Sequence, residues 1–329
     1  MSAAVYPDSA SARDRWIVQH RPTRNAVHHS RPHAFLLEEE RSATGELVPV
    51  ATVLLTNREC PWRCLMCDLW KNTLTDSVPV GAIPKQIDHA LSALAATRTT
   101  PRQIKLSNSG SFFDPRAIPP GDYPAIADRV RAFDRVIVEC HPALVNERIL
   151  PFRDRIGTQL ELAMGLETVH PGVLPRLNKR MTTEQFAEAA CFLKNHGIAL
   201  RVFILVKPPF MDEPDALLWA KRSVDFAFDC AATAVSLIPT RPGNGALEIL
   251  AAANQFSPPQ LRTFEAAVDY GISLGRGRVF GDLWDLDQFS TCPACLPART
   301  QRLKRMNHRQ VVEKSVQCDQ CLTSLEPRP

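Results

Sequence analysis

The sequence predicts an α/β protein built on a parallel sheet, and two features of the chain support this prediction. Between residues 48 and 285, short apolar runs alternate with segments of helical periodicity. The apolar runs are continuous rather than alternating, as expected for strands that are covered on both faces. Repeated strand–helix units of this kind form either an open doubly wound sheet or a partial barrel with right-handed crossovers.

Six strands are predicted in order along the chain, and two of the predicted helices have readable ends. The strands cover residues 48–56, 103–107, 135–140, 159–165, 199–206 and 233–238. Thr182 and Gln185 have the spacing of a capping box, and Gly197 is suited to end that helix. Ser257 followed by Pro258 is predicted to begin another. Because ligands of such folds bind at the carboxyl ends of the strands, the residues after each strand are the candidates for function.

Length and composition limit the class of protein. The chain has 329 residues, which predicts about two domains. Its 45% hydrophobic and 22% charged residues exclude a wholly disordered or coiled-coil chain. A net charge of +4 is too small for the whole surface to attract nucleic acid, so any basic patch must be local. The first forty residues lack the apolar core of a signal peptide, and no run approaches the length of a membrane span, so we predict a cytoplasmic protein with no membrane partner.

Seven of the ten cysteines lie in closely spaced clusters, which favours metal binding in a reducing compartment. Cys60, Cys64 and Cys67 follow the first predicted strand and offer three thiolates within one loop. A site with three protein ligands keeps one position open for a substrate or cofactor. The alternatives are unpaired core cysteines or a zinc site completed from elsewhere in the chain.

A second cluster lies near the carboxyl terminus. Cys292, Cys295, Cys318 and Cys321 form two CxxC knuckles, a strong indication of tetrahedral zinc held by four thiolates. Four thiolates support a second iron–sulfur cluster equally well, and spacing does not separate the two. The sequence therefore predicts a small four-cysteine metal-binding module.

The first cluster and its surroundings resemble the radical S-adenosylmethionine (SAM) enzymes. The resemblance rests on the CxxxCxxC pattern in ECPWRCLMCDLWKNT (59–73), which follows the first strand of a six-fold strand–helix chain. It implies a partial (β/α)6 TIM-like barrel over residues 48–285, an N-terminal extension over 1–47 and a C-terminal module over 286–329. It also implies a 4Fe-4S cluster held by Cys60, Cys64 and Cys67. In this family SAM binds the fourth iron and is cleaved to a 5'-deoxyadenosyl radical, the cofactors carrying the difficult chemistry.

The same resemblance assigns residues to SAM binding. Asn108, Ser109 and Gly110 occupy the place of the family's Gly-Gly-Glu segment, although the acidic third residue is absent. Small residues there permit close approach of the backbone to a ligand. A turn without a ligand is the alternative interpretation.

Charged residues complete the implied SAM site. Glu139 and Glu167 lie at the ends of apolar strands, where a buried carboxylate needs a partner. The segment AMGLETVHPGVLPRLNK (163–179) resembles the coproporphyrinogen-dehydrogenase type, which places Lys179 at the SAM carboxylate. The alternatives are Arg176 and Arg180 for the lysine and Glu161 for the carboxylate, and a surface salt bridge is the alternative to ligand contact for each charge.

Other residues receive structural interpretations. Cys191 is predicted to pack in the core on the apolar side of its helix. Cys140, beside His141, is either a structural thiol or a radical or proton donor. Trp284 and Phe289 are predicted to pack the small module onto the barrel.

Within the radical SAM enzymes, five segments look most like the archaeosine-synthase (RaSEA) group, with a more distant similarity to the catalytic subunit of Elongator. These segments are CDLWKNT, SGSFFD, GLET, NKRMT and KPPFMDEPDA. The resemblance implies modification of a tRNA base, with tRNA and an electron donor such as flavodoxin or ferredoxin as partners. The alternatives are a radical SAM enzyme acting on a small molecule or peptide, and a non-catalytic, metal-stabilised RNA-binding protein.

The segment between the two CxxC knuckles is basic. Residues 296–317 carry six lysines and arginines against Glu313 as the only acidic residue. Such a segment is either a reader of the phosphate backbone or a solvated helix face. The segment has no aromatic residues between its basic ones, so it offers no aromatic side chain on which a base could stack.

Overall fold

A computed structural model describes residues 5–323, and its centre is one eight-stranded sheet that curls into a partial barrel. The strands follow one another in space in chain order. The strand β1 is antiparallel to β2, and β2 to β8 are parallel. The bounds are β1 (Ala34–Arg41), β2 (Leu47–Leu55), β3 (Gln103–Asn108), β4 (Arg135–Glu139), β5 (Gln159–Glu167), β6 (Ala199–Val206), β7 (Ala234–Pro239) and β8 (Arg278–Gly281).

The predicted α/β class and the partial barrel are confirmed, and the sheet is larger than expected. The six predicted strands are β2 to β7, with ends shifted by at most two residues. The sequence reasoning missed β1, which lies inside the predicted 1–47 extension, and the four-residue β8. Residues 1–4 and 324–329 of the predicted terminal segments lie outside the described residues.

The helices do not all share one position: most pack on the sheet and cover its core, and the others lie against the loop after β2, the edge of β8 and the carboxyl-terminal cysteines. They are α1 (Ala10–Gln19), α2 (Ala82–Ala95), α3 (Tyr123–Val130), α4 (Leu150–Ile156), α5 (Thr183–Asn195), α6 (Glu213–Asp229), α7 (Ala246–Ala252), α8 (Leu261–Ser273), α9 (Leu296–Arg309) and α10 (Asp319–Thr323). The capping box of Thr182 and Gln185 is present at α5. The helix predicted to begin at Ser257 begins instead at Leu261, and the Ser257 hydroxyl accepts a hydrogen bond from Lys207 Nζ at 2.8 Å. Among residues 5–323, no helix is long and apolar enough to cross a bilayer.

A buried charge network occupies the barrel interior near the amino-terminal ends of the strands. Glu161 on β5 is fully buried and bonds Arg135, Arg201 and Arg278 at 2.9, 2.7 and 2.9 Å. Arg201 also bonds Glu40 of β1 at 2.5 Å. Every member therefore has an oppositely charged partner, as burial of charge requires. The network joins β1, at one edge of the sheet, to β8 at the other.

Helix α9 covers the outer edge of β8 through two amide side chains. Asn307 accepts from the Gly281 N–H and donates to the Gly281 carbonyl, both at 2.8 Å. Gln310 pairs in the same way with the N–H and carbonyl of Val279, at 2.6 and 2.9 Å. The two amides thus satisfy backbone groups that a further strand would otherwise bond.

The residues before β1 form an ordered arm against the cysteine loop that follows β2. Tyr6 and Ile17 pack in a small apolar cluster with Leu65 of that loop. Arg21 and Arg24 both pair with Glu59, the residue that precedes Cys60. The arm therefore covers one side of the loop.

Candidate active site

A cavity of about 1350 Å³ extends along the inside of the sheet. Ser107 and Glu139 line it at the carboxyl ends of β3 and β4, and Lys105 and Arg201 line it deeper in the barrel. The cysteine loop contributes a wall that includes Met66 and Leu69. Glu139 is thus the predicted site residue that lines this cavity, which extends from the wall formed by the cysteine loop into the interior of the barrel.

Cys60, Cys64 and Cys67 lie close enough together in the loop after β2 for their charges to interact. Burial raises the pKa of the Cys67 thiol to about 12 and raises the pKa of Cys60 and Cys64 as well. The nearby Lys179 ammonium opposes the rise at Cys60 and Cys64. Three desolvated thiols need a positive partner before they ionise, which suits them to an iron cluster better than to reaction as free nucleophiles.

The segment after β3 packs directly against this loop. A Cβ at Gly110, whose φ is +144°, would lie 3.1 Å from the Cβ of Cys60. The Ser109 N–H donates to Asn57 Oδ1 at 3.3 Å, and the Ser109 hydroxyl donates to the Leu69 carbonyl at 3.0 Å. Both polar side-chain atoms of Asn108 are buried without a hydrogen-bond partner in the described structure. Such orphaned groups fit a polar ligand at this position.

Glu139 ends β4 at the cavity wall. Burial raises the pKa of Glu139 to about 7, although a hydrogen bond with Ser107 and the charge of Lys179 oppose the rise. The carboxyl group is therefore poised between its neutral and ionised forms near neutral pH. Hydrogen-bonding groups or a positive charge on a ligand would favour the ionised form.

Glu167 and Lys179 form a buried ion pair beside the cysteine loop, with Oε1 and Nζ 2.5 Å apart. Burial alone would lower the pKa of Lys179, but the charges of Glu167 and Cys64 raise it, so the ammonium persists. Glu167 has a φ of +66° next to an irregularity in β5. Gly165 makes the pair possible, because a Cβ there would overlap Glu167 Oε1 and Lys179 Nζ.

The alternative charges identified in the sequence lie elsewhere. The Arg176 guanidinium stacks on the ring of Phe210, 3.4 Å from its centre, and Arg180 pairs with Asp14 at 2.6 Å. Glu161 belongs to the buried charge network. Lys179 and Glu167 are therefore the pair that lies against the cysteines.

Sequence reasoning did not identify a role for the contact between Trp62 and His141. Their rings stack with centres 3.8 Å apart and an angle of 10° between the planes. His141 Nε2–H donates to the Lys179 carbonyl at 3.0 Å, and burial lowers the pKa of His141 to about 4. A neutral histidine thus joins the cysteine loop, β4 and the segment that carries Lys179. The adjacency of His141 to Glu139 was the only signal in the sequence.

Two cysteine interpretations are resolved by burial. Cys191 is exposed, so the prediction that it packs in the core is wrong: α5 buries Phe186, Ala189, Ala190 and Leu193 instead. Cys140 is buried in the main apolar core, and its Sγ–H donates to the His141 carbonyl at 3.4 Å. Cys140 follows Glu139 in the chain. Glu139 lines the cavity, whereas Cys140 does not. This placement favours the structural interpretation of Cys140.

The four carboxyl-terminal cysteines converge at the two ends of the segment that contains α9. Their four Sγ atoms lie within 4.8 Å of one another. The Sγ atoms of Cys292 and Cys318 are 3.8 Å apart, and those of Cys295 and Cys321 are 3.6 Å apart. A zinc–sulfur bond of about 2.3 Å corresponds to tetrahedral sulfur separations of about 3.8 Å. The spacing therefore suits a single tetrahedral ion, whereas a cube of four irons would hold its ligands further apart.

The basic segment between these cysteines is largely a packed helix. Arg302 is 1% exposed and pairs with Asp269 of α8 at 2.7 Å. Arg299 pairs with Glu265 of the same helix. Lys304, Arg305 and Arg309 are exposed. The buried arginines hold α9 on the barrel and are not available to phosphate, so only the exposed part of the segment suits contact with nucleic acid.

The two aromatic residues before α9 differ. Phe289 is buried in the main core, as predicted. Trp284 is 63% exposed and lines the cavity, so the prediction that it packs the module onto the barrel is wrong. The backbone of Trp284 is held by hydrogen bonds with Asp282 and Arg241, and its indole ring is exposed.

Comparison with known proteins supports the resemblance in both sequence and fold. An uncharacterized protein of Methanocaldococcus jannaschii is 23% identical over 255 residues, 74% of this chain and 70% of that protein. The archaeosine synthase subunit beta of Methanosarcina acetivorans is 28% identical over 66% of this chain and 65% of its own length. That of Thermococcus kodakarensis is 28% identical over 44% of this chain and 46% of its own length. The chain thus matches less than two thirds of either archaeosine synthase subunit. No protein-family model matches the chain.

Two solved structures share the fold. Methylornithine synthase (PylB) superposes with a TM-score of 0.52 at 12% identity, covering 74% of this chain and 68% of that one. Elp3 of Methanocaldococcus infernus superposes with a TM-score of 0.51 at 14% identity, covering 68% and 59%. Both are radical SAM enzymes. The fold of the chain is therefore that of radical SAM enzymes, and its predicted resemblance to archaeosine synthase is confirmed.

Proposed function

We propose that this chain, whose fold is that of the radical SAM enzymes, is a cytoplasmic enzyme of that class that modifies a base in tRNA. The observation that carries the proposal is the meeting of three half-buried thiols, the close-packed Gly110 and the Glu167–Lys179 ion pair in one region beside a large cavity. The clustering of cysteines at metal-binding spacing and the need for reduced iron both favour a reducing compartment.

The cysteine loop would hold the cluster. Cys60, Cys64 and Cys67 supply three thiolates for a 4Fe-4S cluster, and one iron is left for SAM. The bound cofactors supply one-electron cleavage of SAM to a carbon-centred radical. Reduction of the cluster calls for an electron donor such as flavodoxin or ferredoxin.

The surrounding residues would bind and orient SAM. The Asn108–Gly110 segment offers the unpartnered Asn108 amide and a backbone that passes close to Cys60. Lys179, paired with Glu167, supplies a positive charge for the SAM carboxylate. Glu139 offers a carboxyl group at the cavity wall for the SAM ribose or amine. Burial of these groups makes each contact stronger than it would be in water.

We expect replacement of Gly165 with Ala to weaken SAM binding at least roughly tenfold, the scale of one lost charge-assisted hydrogen bond. The added Cβ would displace Glu167 Oε1 and Lys179 Nζ from their present positions. Equilibrium dialysis of SAM with reconstituted protein measures the effect. Gly121→Ala is the matched control, because a Cβ there would meet only Val80 Cγ1 at an ordinary 3.7 Å. Equal SAM affinity for the wild type and Gly165→Ala would contradict the assignment of the Glu167–Lys179 ion pair to the SAM site.

We infer that the four carboxyl-terminal cysteines bind zinc in a structural role. All four positions of a tetrahedral site are filled by protein sulfur, which leaves no open position for a substrate. The sulfur separations of 3.6 and 3.8 Å fit one ion. The zinc would join the two ends of the segment that contains α9 and so hold α9 against the edge of β8.

The tRNA assignment rests on the sequence similarity to the two archaeosine synthase subunits and on the exposed cations of α9. Its test is mass spectrometry of nucleosides from bulk tRNA of cells with and without the gene. We expect one modified nucleoside to disappear on deletion and to return with the wild-type gene, but not with a Cys64→Ser gene. Identical nucleoside profiles would contradict a tRNA substrate and favour a small molecule or peptide.

A further inference from the structure

Trp284 lies in the loop that follows β8, at the wall of the cavity. Its side chain is 63% exposed, and among residues 5–323 it is the only aromatic side chain among the exposed large hydrophobic residues. A side chain of this size that stays in water forgoes the favourable free energy of its burial. Single exposed apolar residues are common. The position of Trp284 at a cavity wall, its fixed backbone and its neighbours distinguish it from such residues.

The backbone that carries Trp284 is fixed on both sides. Asp282 Oδ1 accepts a hydrogen bond from the Trp284 N–H at 3.0 Å. Arg241 donates to the Trp284 carbonyl at 2.5 Å and pairs with Asp282 at 2.8 Å. Arg241 also lies over the ring of Phe289, which is buried in the core. Trp284 is thus exposed on a loop whose backbone is held in place. An aromatic side chain in such a position loses little conformational entropy when it binds a ligand.

The chemistry around Trp284 points to a flat, uncharged ring rather than to a charged ligand. The cavity is lined by cations, including Lys71, Lys304 and Arg241, and by a larger number of acidic residues, including Asp68 and Asp285. Leu69 of the cysteine loop is another exposed apolar residue on the same cavity. A mixed-charge lining gives little net attraction for phosphate, whereas an exposed indole binds the face of a nucleobase by stacking.

We propose that Trp284 is the stacking platform for a nucleobase of the RNA substrate that is turned out of the RNA and into the cavity. This inference rests on the proposed tRNA substrate and names the residue that receives its base. A base must leave its stack before an enzyme can act on it, and stacking on an aromatic side chain offsets part of that cost. Trp284 is thus a substrate-positioning residue on the barrel's last strand–helix connection, separate from the residues assigned to SAM.

The test is binding of bulk tRNA, purified from cells that lack the gene, to the reconstituted full-length protein. We expect Trp284→Ala to weaken binding roughly 5- to 100-fold, the range for loss of one base–aromatic stack. The salt dependence of binding should stay unchanged, because no phosphate contact is removed. Trp284→Phe should retain most of the affinity, and Leu218→Ala, an exposed apolar residue outside the cavity, should behave as wild type.

Fluorescence supplies a readout that a merely structural role would not move. Titration with tRNA should quench tryptophan emission of the wild type, and Trp284→Phe should bind with that quenching largely lost. Wild-type tRNA affinity in Trp284→Ala, or the same weakening in Leu218→Ala, would overturn the stacking role while the proposed function stands. Failure of the wild-type protein to bind tRNA would overturn the proposed function and this inference together.

Discussion

Replacing Cys64 with Ser should remove the iron cluster while leaving the carboxyl-terminal metal in place. Cys64 is half-buried in the loop after β2, and ionised sulfur is the form that binds metal. Serine's hydroxyl ionises far less readily than a thiol and does not replace thiolate at such a site. We expect the iron content to fall from about four atoms per chain to near zero. SAM cleavage should be lost with it.

The matched control is Cys292→Ser, which removes one ligand from the other site. It should lose zinc and lower the melting temperature, because α9 is no longer held at both ends, while the cluster absorbance remains. Metal analysis and visible spectroscopy of both anaerobically prepared proteins measure these outcomes. Iron lost from Cys292→Ser in proportion to that lost from Cys64→Ser would contradict the assignment of zinc to the carboxyl-terminal site.

Replacing Glu161 with Gln should destabilise the fold by about 3–5 kcal/mol, the usual effect of breaking a buried ion pair. The substitution keeps the shape of the side chain but leaves Arg135, Arg201 and Arg278 with less negative charge around them. Urea unfolding at pH 7 measures the change. Glu46→Gln is the matched control, because Glu46 pairs with Arg102 at the surface and should contribute less than about 1 kcal/mol.

The effect of Glu161 should depend on pH in a defined direction. Burial alone would raise the pKa of Glu161, but the three arginines lower it to about 2, below the ordinary value of 4.5. A lowered pKa stabilises the folded state above pH 4.5, and this stabilisation, on the order of 3 kcal/mol, is lost as the pH falls towards 2. The stability difference between the wild type and Glu161→Gln should therefore shrink over that range. A difference that stayed constant from pH 6 to pH 2.5 would contradict the role of Glu161 as the ionised centre of the network.

The parallel part of the sheet was readable because each of its long strands is an apolar run that helices cover. The strand β1 was not, because its sequence AFLLEEER resembles a surface segment. Glu38 and Glu40 are compatible with an inward face only because Lys105 and Arg201, from distant strands, pair with them. The strand β8 has four residues and depends on Asn307 and Gln310 to satisfy its edge. Such long-range partners leave no local signal.

The candidate site divides in the same way. The cysteine spacing and the resemblance identified Cys60, Cys64 and Cys67, and the structure brings Glu167 and Lys179 against them. Sequence spacing did not indicate that Gly165 makes room for this ion pair, since the approach of Glu167 Oε1 and Lys179 Nζ to Gly165 depends on the fold, where the register of β5 shifts between Gly165 and Glu167. The exposure of Trp284 was missed for a related reason: an aromatic residue beside a small module is expected to pack, and the hydrogen bonds that hold its backbone become apparent only in the fold.

The central claim is that the three-cysteine loop and its neighbours cleave SAM by one-electron reduction. The most direct measurement is the amount of 5'-deoxyadenosine and methionine that anaerobically reconstituted, dithionite-reduced protein releases from SAM, compared with Cys64→Ser prepared in parallel. The account predicts release of both products by the wild type and none above background by the variant. Absence of 5'-deoxyadenosine from wild-type protein that carries a full complement of cluster iron, or equal release by the variant, would contradict it.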